Sequence, residues 1–307
     1  MENEKFNIIT VMGATAGGKT SLAANLAYEF NGEIISADSR QVYRGMDIGT
    51  GKDLEDFIIN DTQIPYHLID IVDAGTKYNV FRYQKDFLKV YTDIKNRKKL
   101  PILCGGTGMY IDAVLKGYKL INVPHDGKLK EQLEKKTDKG LIDILKRNND
   151  LHNRSDISNR KRLIRAVEIA LYYEKHNDID FSYPEIKSLN VQIFFDRNSR
   201  RKRITKRLKD RLQKGMIEEV ESLLKKGIPA ETLIYYGLEY KFITEFILGK
   251  ITYEDMFSQL EIAIHQFSKR QMTWFRKMEK DGHKIYKIDG YIPLEEKIVK
   301  VKELLNK

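Results

Sequence analysis

Residues 13–23 read GATAGGKTSLA and follow the apolar run FNIITVM. Gly13, Gly18, Lys19 and Thr20 fit the phosphate-loop pattern: a glycine, four free positions, then glycine, lysine and serine or threonine. Glycines let the backbone curl, so that the N–H groups of the intervening Ala14, Thr15, Ala16 and Gly17 can turn toward one anion. The start of the following helix adds partial positive charge. Lys19 adds a full charge, and the Thr20 hydroxyl suits a magnesium ion that bridges phosphate oxygens. The motif sits between a strand pattern and a helix pattern, the context such a loop requires. It therefore reads as a phosphate or diphosphate site, against the plainer alternative of a glycine-rich turn with a chance lysine.

Three further stretches carry chemistry-bearing types. In SADSRQVYRGMDIGTGK, residues 36–52, Asp38 falls at the end of a second strand pattern. Carboxyl ends of parallel strands share one sheet edge, so Asp38 is expected in the same crevice as the phosphate loop. There a carboxylate can hold magnesium or accept a proton, whereas the plain alternative is a helix cap. Ser39 and Gln41 can hydrogen-bond the edge of a base. In GGTGMYIDAVLKG, residues 105–117, the glycines admit a close approach by a ligand or by another backbone. The strand before them, LPILCGG, ends in glycine where an ATPase of this kind usually ends in a magnesium-binding aspartate, which weakens a reading of ATP hydrolysis. Asp70 and Asp73 in LIDIVD belong to a mixed pattern. In KRQMTWFRKM, residues 269–278, Lys269, Arg270 and Gln271 precede the single tryptophan, Trp274, which is expected to continue an apolar helix stripe.

Two arginine runs lie on amphipathic helix patterns. Arg160, Arg162 and Arg165 flank an apolar stripe of Leu163, Val167 and Ala170. Arg200, Arg203, Arg207 and Arg211 recur opposite Ile204, Leu208 and Leu212. Arginine at this spacing suits phosphates, which it grips with two parallel hydrogen bonds. A solvated face is the alternative for either run.

These residues need a scaffold. The first third alternates strand and helix: NIITVMG, GEIISADS, YHLIDIVD and LPILCGG as strands, with KTSLAANLAYEF and NVFRYQKDFLKVYTDIKNRKK as helices. The fold class that follows is α/β, a phosphate-loop-type parallel sheet with helices on both faces. From residue 122 to 188 the chain turns polar, helical and charge-rich, which reads as a small helical insertion. NVQIFFD returns to the sheet, so the expected division is a core of residues 1–121 and 189–307 around an insertion of 122–188. The segment from Ser199 to Gly227 reads as continuous helix, and HKIYKID as a last strand.

Composition sets the limits. The chain has 307 residues with 41% apolar content, enough for a substantial core. It carries 54 basic and 44 acidic residues, a formal charge of +10. Such a field suits polyanions such as nucleic acid, although a generally lysine-rich protein would look the same. One cysteine, Cys104, excludes an internal disulfide and is expected in a buried strand. Without a signal-peptide architecture or a long apolar run, a cytoplasmic protein with no membrane contact is expected.

Taken together, these stretches resemble the tRNA dimethylallyltransferase (isopentenyltransferase) family. GATAGGKTSLA, GEIISADSRQVYRGMDIGTGK, YHLIDIVD, PILCGGTGMYIDAVLKG, NRKRLIRAVEIA, GMIEEVESLL and KRQMTWFR run in the family's order and cover most of the chain outside the insertion. The resemblance implies transfer of a dimethylallyl group from dimethylallyl diphosphate to the N6 amine of the adenosine 3′ of the anticodon. It implies that the loop, Thr20 with magnesium, Arg203 and, second, Arg207 hold the diphosphate, and that Asp38 takes the amine proton. It implies that Ser39 and Gln41 hold the flipped base and that the insertion, with Arg160, Arg162 and Arg165, grips the anticodon stem-loop. Lys269, Arg270 and Gln271 complete the tRNA-facing set, and one chain is expected to suffice. The chain departs from the family pattern at Ala14, at RSDIS (154–158) and at GLEYK (237–241). A prenyltransferase of free adenine nucleotides, a metabolite kinase with the same loop, and a non-catalytic RNA-binding protein are the alternatives.

Overall fold

A computed structural model describes residues 5–120, 122–124, 126–147, 159–176 and 182–306. The described residues divide into two compact units, Met1–Tyr118 with Glu185–Lys307, and Lys119–Pro184.

Among the described residues the first unit has the strands β1 (Ile8–Met12), β2 (Gly32–Ala37), β3 (Tyr43–Arg44), β4 (Ile58–Ile59), β5 (Thr62–Gln63), β6 (Tyr66–His67), β7 (Val72–Asp73), β8 (Leu100–Gly105), β9 (Ser188–Phe194) and β10 (Ile285–Asp289). Six of them form a parallel sheet in the order β10-β9-β1-β8-β2-β6. β1 and β2 are buried along their whole length, as central parallel strands covered on both faces must be. The helices are α1 (Lys19–Glu29), α2 (Val80–Asn96), α3 (Gly108–Leu115), α7 (Arg197–Gln213), α8 (Met216–Lys225), α9 (Ala230–Tyr236), α10 (Leu238–Ile247), α11 (Tyr253–Lys280) and α12 (Leu294–Asn306), with α4 to α6 in the other unit. One sheet face packs Leu22 and Leu26 of α1 and Val301 of α12. The other packs Tyr83 and Phe87 of α2, Ile111 of α3 and Phe275 of α11. Each such fully buried side chain contributes about 1.5–3 kcal/mol relative to an exposed one. A third cluster, formed by α7 to α11, stands over Val42, Tyr43 and Met46, just beyond β2.

Two expectations differ in detail. YHLIDIVD is not one strand. Leu68 (φ 62°) and Asp70 (φ 55°) take left-handed backbone, so only Tyr66–His67 joins the main sheet and Val72–Asp73 pairs with β3. The basic segment from Ser199 to Gly227 is not one helix. Gly215 at φ 96° ends α7 and opens α8, a conformation glycine adopts without the steric penalty of a side chain. Cys104 is a buried β8 residue, as its neighbours predict, and burial pushes its thiol up to about 12.

The second unit contains α4 (Gly127–Glu134), α5 (Asp138–Arg147) and α6 (Arg160–Lys175). They close on Leu133, Leu141, Leu145, Leu163, Ile164 and Val167. The RSDIS departure at 154–158 lies outside the described residues. No helix among the described residues is long and apolar enough to cross a membrane.

Candidate active site

The phosphate loop runs from the end of β1 into α1. Gly18 (φ 75°) precedes α1 and offers no side-chain cap, whereas α2, α7 and α11 are capped by Asn79, Asp196 and Thr252. An uncapped first turn leaves orphan amides, which an anion can satisfy. Lys19 Nζ donates to the Ala14 carbonyl at 3.0 Å. Burial holds the Lys19 ammonium below its ordinary value; Arg207 adds to that effect, while Cys104 and Asp38 oppose it. Gly13 and Ala14 are buried at the loop's base, and the small Ala14 side chain is accommodated there.

The tip of the loop is held from outside. Ala16 sits at φ 60°, which costs a residue with a Cβ roughly 1–2 kcal/mol. Arg203 Nε donates to the Ala16 carbonyl at 2.9 Å, and its guanidinium lies 4.6 Å from the Phe195 ring. Arg207 Nη2 donates to the Thr15 hydroxyl. The Arg207 guanidinium is pulled down to about 10, first by burial and then by Arg211, against the pull of Glu239, Asp53 and Asp38. On the other side, the Thr15 amide donates to Gln271 Oε1 at 2.9 Å.

Asp38 follows β2. Its Oδ1 accepts from the Arg40 amide at 2.9 Å, which fixes the carboxylate against its own turn. The next amide, Ser39 N–H, donates to Thr107 Oγ1 at 3.0 Å, and the Thr107 amide donates to the Ala37 carbonyl at 3.1 Å. The GGTG loop after β8 thereby holds the end of β2. Gln41 uses both ends of its amide: Oε1 accepts from Ser36 Oγ, and Nε2 donates to the Gly51 carbonyl, each at 3.0 Å.

Thr15, Ala16, Gly17, Gly18, Lys19, Thr20, Asp38, Gln41, Arg203, Arg207 and Gln271 line one cavity of about 350 Å³. Ser39 turns its amide to Thr107 and does not line the cavity. Lys269 and Arg270 are exposed on α11, away from it. Gln271, expected beside them, is 6% exposed and has both polar atoms engaged by backbone. Trp274 packs on Gly108 of α3, consistent with its apolar stripe.

Arg160 and Arg165 lie in the second unit. Arg160 pairs with Asp138 and donates to the Glu134 and Lys136 carbonyls at 2.8 and 2.7 Å. Arg165 pairs with Glu168 at 2.9 Å and donates to the Val123 carbonyl at 2.5 Å. Both thus bind their own unit, while Arg162 is exposed. Asp70 and Asp73 are structural too: they pair with Lys52 and Arg44.

Sequence reasoning missed the group that holds residues 47–53. The Glu219 carboxylate accepts from the amides of Asp47, Ile48 and Gly49 at 2.8, 2.6 and 3.1 Å and from Tyr240 Oη at 2.7 Å. Lys52 Nζ, buried, donates to the Tyr43 carbonyl at 2.5 Å and to Asp47 at 2.8 Å. Arg211 Nη2 reaches Asp53 at 3.2 Å. Only Arg211 left a signal, since it continues the stripe of Arg203 and Arg207. Tyr240 gives the GLEYK departure a structural use.

A family model described as IPP transferase matches residues 41–278, and one described as isopentenyl transferase matches residues 6–74. The chain is 55% identical over 304 residues to tRNA dimethylallyltransferase 2 of Phocaeicola vulgatus, covering 99% of each. The chain belongs to the tRNA dimethylallyltransferase family. A relative with the name tRNA dimethylallyltransferase 1, from Parabacteroides distasonis, is 55% identical and again covers 99% of both chains. Among solved structures, the full-length tRNA isopentenylpyrophosphate transferase of Bacillus halodurans superposes with a TM-score of 0.72 at 29% identity, covering 98% of this chain and 95% of that one. Neither the free-nucleotide nor the kinase alternative finds support among these relatives.

Proposed function

We propose that this protein transfers the dimethylallyl group of dimethylallyl diphosphate to the N6 amine of an adenosine in tRNA, the one 3′ of the anticodon, and releases diphosphate. The observation that carries this reading is that the phosphate loop, Asp38 and two α7 arginines line one cavity. The N6 lone pair attacks the allylic C1, the C1–O bond breaks, and its electrons leave with the diphosphate. Negative charge grows on that leaving group, where the loop amides, Lys19 and Arg207 oppose it, with Arg203 at the rim. An adenine amine is a poor nucleophile because its lone pair is delocalised into the ring. Asp38 accepts its proton as the N–C bond forms.

The Thr20 hydroxyl lines the same cavity. Among the described residues no three His, Cys, Asp or Glu side chains gather to hold a metal. A hydroxyl beside bound phosphate oxygens fits magnesium, which is usually held by few protein groups together with phosphate oxygens. Thr20 would hold the ion, which when bound supplies neutralising charge to the diphosphate. Gln41, on the cavity wall, and Ser39, next to Asp38 but off that wall, are the candidates for the extruded base, which costs least when taken from an unpaired loop. The exposed Arg162, Lys269 and Arg270 supply phosphate contacts to the anticodon stem-loop. One chain is enough for one tRNA, and a cytoplasmic location fits this substrate.

The test mixes purified protein, unmodified tRNA, magnesium and dimethylallyl diphosphate, then weighs the anticodon-loop fragment by mass spectrometry. A gain of one dimethylallyl group on the adenosine 3′ of the anticodon is expected, with one diphosphate released per transfer. Asp38→Ala is expected to keep both substrates bound and to lower transfer by about 10²–10⁴-fold. Normal turnover in that variant removes Asp38 from the mechanism.

A further inference from the structure

The phosphate loop and the strand end that carries Asp38 are separate segments, and one side chain ties the first to the loop after β8 that holds the second. Gln271 Oε1 accepts from the Thr15 amide at 2.9 Å, and its Nε2 donates to the Gly106 carbonyl at 2.9 Å. Gly106 precedes Thr107, whose hydroxyl accepts from the amide next to Asp38. Gln271 is 6% exposed, lines the cavity, and comes from α11, a helix of 28 residues packed against the sheet. The fit is close on the Gly106 side: a Cβ placed there would lie 2.3 Å from Gln271 Nε2.

We propose that Gln271 is a positioning residue that fixes the phosphate loop relative to Asp38, and that it is not a tRNA contact. The proposal rests on reading the cavity as a diphosphate site. A planar amide suits the task because it accepts on one edge and donates on the other. Neither a carboxylate nor an ammonium can serve a backbone N–H and a backbone carbonyl together. The Thr15 amide is the loop's anchored group. It faces Gln271, while Arg207 takes the hydroxyl of the same residue and Arg203 the carbonyl of the next. With Gln271 removed, the half-buried Thr15 N–H and the buried Gly106 C=O lose their partner, and the loop tip can move away from the base. Transfer needs the leaving group and the nucleophile within a few tenths of an ångström of their working places, so such a shift is costly in rate.

The experiment is a cycle of Gln271→Ala, Gly106→Ala and the double variant. Each is read by calorimetry with inorganic diphosphate in magnesium buffer, by filter binding with unmodified tRNA, and by steady-state transfer. The expected result is a diphosphate Kd and a dimethylallyl diphosphate KM each raised about tenfold in either single variant, with kcat lowered by a similar factor. The tRNA Kd should stay within about twofold, because no tRNA contact is removed. The double variant should be no worse than the poorer single one, since the new methyl at 106 enters the space that Gln271 vacates. Gln271→Met keeps the length and apolar packing of the side chain and should show the same split, which guards against a variant that only unfolds. Unchanged diphosphate affinity with weakened tRNA binding in Gln271→Met overturns the proposal. Wild-type protein that binds no diphosphate and transfers nothing overturns the reading of the cavity itself, and this proposal with it.

Discussion

Two helices each carry arginines beside an apolar stripe, and they use them in opposite ways. On α7, Arg203 and Arg207 reach across more than 180 positions of sequence to the Ala16 carbonyl and the Thr15 hydroxyl. On α6, Arg160 and Arg165 turn back on carbonyls and carboxylates of their own unit. The lesson is that arginine spacing states a capacity and neighbouring backbone decides its use. Where carbonyls at a helix end lack partners, a guanidinium satisfies them and the arginine becomes structural. Where the partner is the phosphate loop, the same side chain lines the cavity proposed to hold diphosphate.

Substitution can break this contrast. The largest effect is expected at Arg207. Arg207→Ala should lower kcat by about 10²–10³-fold with the fold intact, as loss of a half-buried charge facing a developing anion does. Arg203→Ala, with its exposed guanidinium, should cost less. The pH dependence has a definite sign. Charged Arg207 favours diphosphate, and bound diphosphate in turn raises its pKa. Wild-type binding should therefore be strongest below pH 10 and weaken as pH rises through the value of about 10. Lys19, also held below its ordinary value, loses its charge in the same direction. Calorimetry across pH 8–11 should show a shallower loss in Arg207→Ala than in wild type, and parallel curves would place the titration elsewhere.

A smaller change is expected on α6. Arg160→Ala should destabilise the insertion by about 1 kcal/mol, seen as earlier hydrogen exchange in α4 and α5, with diphosphate binding unchanged. If it instead lowered tRNA affinity without loosening those helices, the contrast between the two helices would fail. The smallest effect belongs to Arg162→Ala. It should weaken tRNA binding severalfold, uniformly among tRNAs, and reduce the salt slope of log Kd by about one ion.

Legibility followed distance along the chain. The phosphate loop, the Asp38 turn and the strands β1, β2, β8 and β9 were readable because each is a local pattern flanked by its own element. YHLIDIVD was not, because the left-handed turns at Leu68 and Asp70 leave the apolar alternation intact while breaking the strand. The division of α7 from α8 rests on one glycine inside a helical pattern, a weak signal. The braces were invisible for a different reason. Gln271 and Thr15 are 256 positions apart, and a glutamine on a helix face carries no mark of its partner. Glu219 reads as an ordinary acidic residue in a first helical turn, although it holds three amides of a distant loop.

The place of β1 in the sheet bears on how the protein is made. β1 is flanked by β8 and β9, and β9 is translated only after the entire insertion. A nascent chain thus displays its glycine-rich loop early, on a strand that keeps one bare edge until Phe194 has left the ribosome. The two arginines arrive later, and Gln271 later still. A product cut short before Gln271 would retain the phosphate-loop sequence and Asp38 but lack the proposed amide link, so competence for transfer is expected only near the end of synthesis.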